Sequence, residues 1–111
     1  MNKNKITQTV IQNASSKKRD DIQYAWMHYL ETELNFPFEA EVQLYSFSKV
    51  LRDGDIVRVT GIESFIDLYG LLMEIKKGRE TLYCPLAELK VVDRKSENFE
   101  IIDAYEEWEG N

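Results

Sequence analysis

Between Tyr24 and Ala40 the chain changes its hydrophobic period, and that change restricts the folds open to it more than any other stretch. Upstream, Ile22, Ala25, Trp26, Tyr29, Leu30 and Leu34 recur at three- and four-residue intervals, which gathers apolar side chains on one face of a helix. Downstream, Phe38, Ala40, Val42 and Leu44 alternate with Glu39, Glu41, Gln43 and Tyr45, the two-residue period of a strand with one buried face. Asn35-Phe36-Pro37 lies between them, and the proline ring disfavours the helical conformation in Phe36. With Asp20 and Asp21 placed where a helix N-terminus favours negative charge, the pattern predicts a helix over 18–34 and a β segment from 37.

The strand pattern continues. Arg52-Asp53-Gly54-Asp55 reads as a tight turn, because Asp-Gly tolerates positive backbone angles. Val57 and Val59 follow it, then Tyr69, Leu71, Met73 and Ile75, a Lys77-Gly78 turn, Leu82 with Cys84, a short Pro85–Leu89 segment and Val91-Val92. Five short strands joined by tight turns predict a small barrel over 37–93. A second helix is expected over 98–109, with Asn98 as cap, Ile101, Ile102, Tyr105 and Trp108 inward, and Glu100, Asp103, Glu106, Glu107 and Glu109 outward. The fold class is therefore α+β. Residues 1–15 lack a sustained period and read as a flexible basic tail, in which Ile6, Val10 and Ile11 are the residues able to hold a short ordered piece, leaving 16–111 as a single domain.

Composition narrows the function. Cys84 is the sole cysteine and His28 the sole histidine, so neither an intrachain disulfide nor a four-ligand Cys/His zinc site is available. No apolar run reaches the roughly 20 residues that cross a bilayer, and a cytoplasmic protein without membrane contact is expected. All of Lys3, Lys5, Lys17, Lys18 and Arg19 precede the first acid, and the rest of the chain holds 9 basic against 20 acidic residues. A field of that sign repels phosphate backbones and disfavours nucleic acid as a partner, although the basic N-terminal tail leaves that as a third reading.

Catalytic signatures are missing. There is no Gly-x-Ser-x-Gly elbow, His-Glu-x-x-His helix, phosphate-cradling glycine loop or dinucleotide fingerprint, and Cys84 falls on the inward phase of its strand, where a thiol behaves as a small hydrophobe. The expected protein is not an enzyme. Most aromatics occupy core phases; Tyr24, Tyr45 and Phe65 do not and are candidates for a partner surface.

The acids point to a hard cation. Calcium takes six to eight oxygens from carboxylates, carbonyls and water, and loops supply these best. Asp53 and Asp55 flank Gly54 in the turn, Glu63 and Asp67 fall in the expected loop before the third strand, and Glu31 and Glu33 end the first helix. Glu33 there opposes the helix dipole, an arrangement a bound cation relieves. No Asp-x-Asp-x-Asp-Gly loop is present, which excludes an EF-hand.

The chain also carries Tyr29-Leu30-Glu31, Leu34-Asn35-Phe36-Pro37-Phe38-x-Ala40, Leu51-x-x-Gly54-Asp55-x-Val57-x-Val59, Gly70-Leu71, Ile75, Gly78, Pro85-Leu86-x-x-Leu89 and the terminal Trp108. Over roughly residues 22–108 this resembles the CcbP-type bacterial calcium-binding protein family. The resemblance implies a small acidic cytosolic protein with an SH3-like barrel plus helices, which binds Ca2+ without EF-hands and buffers or senses it. It carries over Glu31 alone; the other acids are assigned from loop position. Residues 61–68 depart from the family's acid-rich loop, offering only Glu63 and Asp67, and fewer anionic ligands weaken a site. The expected metal ligands are thus Glu31, Glu33, Asp53, Asp55, Glu63 and Asp67, in a monomer or weak homodimer. The competing reading is an SH3-like interaction module whose acidic surface meets a basic protein partner, with no role for metal.

Overall fold

The computed structural model describes residues 2–43, 51–67 and 70–110. Where the sequence suggests a single domain over 16–111, the chain forms two compact units: Met1–Leu34 with Arg94–Asn111, and Asn35–Asp93.

The first unit is helical. α1 spans Lys3–Asn13, α2 Arg19–Glu33 and α3 Glu97–Glu109. The expected flexible tail is instead α1, with the Asn2 side chain capping it by accepting from the Lys5 N–H at 3.0 Å. Ile6 and Val10, one turn apart, are both buried and Ile11 beside them is half-buried, and these three anchor a helix that is polar elsewhere. Lys3 of α1 pairs with Asp103 and Glu107 of α3, at 3.2 and 3.0 Å. Those carboxylates raise the Lys3 pKa, by hydrogen bonding first and charge second.

α2 carries the core of this unit. Trp26 and Leu30 are fully buried, and the Trp26 ring meets Tyr105 edge-on at 5.4 Å and Trp108 at 6.1 Å. Gln23 Nε2 donates to the Tyr105 hydroxyl at 3.1 Å, which gives this buried phenol its polar partner. The Arg19 guanidinium lies 4.6 Å over the Trp108 ring and donates to the Glu109 carbonyl at 2.8 Å. The N-cap of α3 is Ser96, accepting from the Phe99 N–H at 3.2 Å, and not the expected Asn98, which lies within the helix and is buried. A serine hydroxyl one residue before the first turn reaches the free amides as well as an asparagine does.

The second unit is a five-stranded antiparallel sheet: β1 Phe38–Val42, β2 Ile56–Ile66, β3 Gly70–Lys77, β4 Glu80–Pro85 and β5 Leu89–Val91, with a short 3-10 turn at Leu86–Glu88. The strand order is β4-β3-β2-β1-β5. The expected SH3-like barrel is therefore corrected to an open sheet, since no ladder joins β4 to β5 among the described residues. β5 is only three residues long, and its register is with Ala40–Val42 of β1. The alternation read from sequence sets the buried face: Ala40, Val42, Val57, Val59, Leu71, Met73, Ile75 and Cys84 are buried, while Glu39, Arg58, Lys76 and Tyr83 are exposed. The strand assignments at Leu44 and Tyr69, and Tyr45 as a surface candidate, lie outside the described residues. Phe65 pairs with Leu71 and is half-buried, whereas Tyr24 is 67% exposed.

Two register shifts interrupt the β2–β3 ladder. Val59 pairs with Ile75 and Gly61 with Glu74, so Thr60 is an extra residue; Ile62 pairs with Met73 and Ser64 with Leu72, so Glu63 is another. Such bulges bend a strand and raise its local twist. Thr60 remains tied across the ladder, its hydroxyl donating to the Glu74 carboxylate at 2.8 Å.

Candidate metal centre

The Arg52–Asp55 turn is built by its own backbone. The Asp55 N–H donates to the Arg52 carbonyl at 3.0 Å, and Gly54 adopts a φ of +92°, which its missing Cβ permits. Two further bonds lock the turn to β1: Gly54 N–H to the Val42 carbonyl at 2.7 Å and Val42 N–H to the Asp55 carbonyl at 2.8 Å. The Asp53 side chain is exposed at the tip, and that of Asp55 turns back over the turn. Its Oδ2 accepts the Arg52 N–H at 3.0 Å and the Lys77 ammonium at 2.8 Å. Hydrogen bonding from Lys77, then from the Arg52 amide, holds the Asp55 carboxyl below the usual carboxylate range. A depressed acid supports the fold above its unfolded pKa and loses that support as pH falls through the folded value. Because the pair is partly open to solvent, the effect is small.

The remaining predicted ligands lie elsewhere. Glu63 is in β2, at the second bulge, and not in a loop; Asp67 follows the end of β2. Both are exposed. At about 3.3 Å per residue, the eleven residues of β2 place roughly 36 Å of extended strand between Asp55 and Asp67. Glu31 and Glu33 occupy the last turn of α2 in the helical unit, both exposed, with no basic residue in that turn.

Calcium requires more than these positions bring together. Among the described residues there is no group of three or more His, Cys, Asp or Glu side chains arranged to hold a metal ion. Asp53 and Asp55 are two carboxylates, and one oxygen of Asp55 already serves Lys77 and an amide. The described side chains therefore do not form a ready-made carboxylate shell for calcium, which needs six to eight oxygens.

One acid gives no sign of its placement in the sequence. Glu88 is 7% exposed in the 3-10 turn, with its carboxylate 3.8 Å from the Cys84 sulfur and its carbonyl accepting the Gln43 N–H at 2.7 Å. It follows Pro85-Leu86-Ala87, a segment too short to show a period and so to signal burial. Burial, followed by the adjacent Glu88 charge, pushes the Cys84 thiol up to about 12. Burial also raises the Tyr105 phenol to about 12, against the lowering bond from Gln23.

Those two groups set an alkaline limit. Unfolded, they ionise near 9.0 and 10.0, so above those values the unfolded chain sheds protons first. Their contribution is complete below pH 9 and declines as pH climbs toward 12. A urea midpoint that falls steadily from about pH 9 to about pH 11 is expected, along with alkylation of Cys84 at the rate of global opening. Alkylation at the rate of a free thiol under native conditions would contradict the buried placement.

Known proteins share this architecture. A family model for the CcbP proteins, described as calcium binding, matches residues 4–109. Among solved structures, the crystal structure of CcbP from Anabaena is similar with a TM-score of 0.74 at 18% identity, covering 96% of this chain and 91% of that one. A calcium-binding protein in its calcium-binding form is similar with a TM-score of 0.72 at 20% identity, covering 96% and 86% respectively. No curated protein matches the chain. The two structures share its fold, and the family match spans nearly its whole length: the chain belongs to the CcbP calcium-binding family.

Proposed function

We propose that this protein binds Ca2+ as a small non-catalytic cytosolic protein, buffering or sensing the ion without an EF-hand. The observation that carries this reading is the family match over residues 4–109. The net charge of −6 supports it, since an acidic surface raises the local concentration of cations. With no carboxylate cage among the described residues, backbone carbonyls and water must supply a large share of the oxygens. The candidate carboxylates remain Glu31, Glu33, Asp53, Asp55, Glu63 and Asp67, each testable alone.

Thermal denaturation with and without calcium decides the matter. Calcium at about 100 times its dissociation constant adds roughly 2.7 kcal/mol to a native state that binds one ion, and the midpoint rises accordingly. Single Asp→Asn and Glu→Gln exchanges at the six positions then identify ligands by loss of that rise. An unchanged midpoint, or an equal rise with magnesium at matched ionic strength, would remove the calcium reading and leave an acidic interaction module.

A further inference from the structure

A groove of about 480 Å³ runs within the helical unit, between the C-terminal half of α1 and one face of α2. That volume lies in the range of small-molecule sites. Val10 and Ala25 give its lining an apolar part, and Tyr24 and Tyr29 line it as well. Asp21 lines one end and Glu33 the other, while no lysine or arginine lines it, although the chain holds 14 of them.

Three properties define what such a groove accepts. Its charge is negative at both ends: among the described residues neither Asp21 nor Glu33 enters an ion pair, and the hydrogen-bond partner of Asp21 is the Ser16 hydroxyl. The acids are twelve residues apart on α2, hence about 18 Å along its axis. Between them, phenol rings offer negative π faces, which attract ammonium groups. Tyr29 keeps its proton to higher pH than usual, chiefly through burial and then through the nearby Glu33 charge, so the phenol stays a neutral wall.

We propose that the α1–α2 groove binds a linear polyamine in extended form, one terminal ammonium on Asp21, the other on Glu33, with its alkyl segments over Tyr24, Tyr29 and the apolar part of the lining. The gap corresponds to about fifteen bonds, counting the ammonium–carboxylate contact at each end, by the covalent dimensions that give an extended peptide roughly 3.6 Å per three bonds. A tetraamine has that length; a diamine reaches one end only.

The test is titration of the full chain with spermine and with putrescine in the presence of a calcium chelator, so that the result is independent of the calcium reading. Spermine is expected to bind with 1:1 stoichiometry and at least about tenfold more tightly than putrescine, because an ammonium left without its carboxylate weakens binding by a factor of this order. Asp21→Asn and Glu33→Gln should each weaken spermine by about tenfold and abolish its advantage over putrescine. Glu80→Gln, in the exposed part of β4, should leave binding unchanged. Equal affinity for the two amines, equal weakening in the Glu80 variant, or saturation by an oligolysine peptide without saturation by spermine would each overturn the proposal.

Discussion

Replacing Trp26 by alanine is expected to cost the helical unit about 3–5 kcal/mol, among the largest effects of a single exchange at the described residues. The indole is fully buried and packs against Tyr29, Tyr105 and Trp108, so truncation empties the centre of an aromatic cluster drawn from α2 and α3. One term opposes the loss. The indole N–H is buried without a hydrogen-bond partner, and removing an unsatisfied donor returns about 1–3 kcal/mol. Observed costs for Trp→Ala in cores already contain such offsets, and the lost volume decides the sign. Urea denaturation followed by far-ultraviolet circular dichroism measures it; a cost below about 1 kcal/mol would show that Trp26 is not the packing centre.

Ile75→Ala should destabilise the sheet unit by about 2–5 kcal/mol. Ile75 is fully buried on β3, opposite Val59 on one side and Leu82 on the other, so the cavity opens in the interior of the longest part of the ladder. β-sheet residues flanked on both sides collapse less readily into a void than residues at an edge, which places the cost in the upper half of the range. The conservative Ile75→Val exchange should cost about 0.5–1.5 kcal/mol. Amide exchange across β2 and β3 provides the readout, with protection falling in both strands together. Loss of protection confined to β4 would contradict the central placement.

Much of this architecture was legible in residue order. The switch from helical spacing at Ile22–Leu34 to alternation at Phe38–Val42 marks the boundary between α2 and β1, and the structure places it there. Asp53-Gly54 announced its turn through the conformational freedom of glycine. What stayed hidden depends on tertiary partners. α1 buries Ile6 and Val10 and half-buries Ile11, and three apolar residues amid Lys, Asn, Thr and Gln create no sustained period until another helix covers them. The bulges at Thr60 and Glu63 were equally silent, because an extra residue in one strand is defined only against its neighbour; reading β2 as ending near Gly61 put Glu63 in a loop it does not occupy. Closure of the sheet was overestimated because alternation tells which face is buried and nothing about how the edges meet.

For the metal centre, composition was informative and placement was not. The surplus of carboxylates and the Leu34–Ala40 motif led to the calcium-binding family, which the match over residues 4–109 shows. Which carboxylates converge depends on strand length and register. A sequence cannot reveal that Lys77 reaches Asp55, since the two are 22 positions apart and meet only when β3 runs back alongside the turn.

The helical unit draws on both flanks of the sheet, residues 1–34 and 94–111, and this has a consequence for synthesis on the ribosome. Translation at about 5–20 residues per second leaves several seconds between the emergence of Trp26 and that of Tyr105 and Trp108. All five strands are made in that interval and have their pairing partners at hand. The apolar stripe of α2 meanwhile has no α3 to cover it, so the nascent chain presents a sticky surface that ribosome-associated chaperones can shield until the last helix arrives.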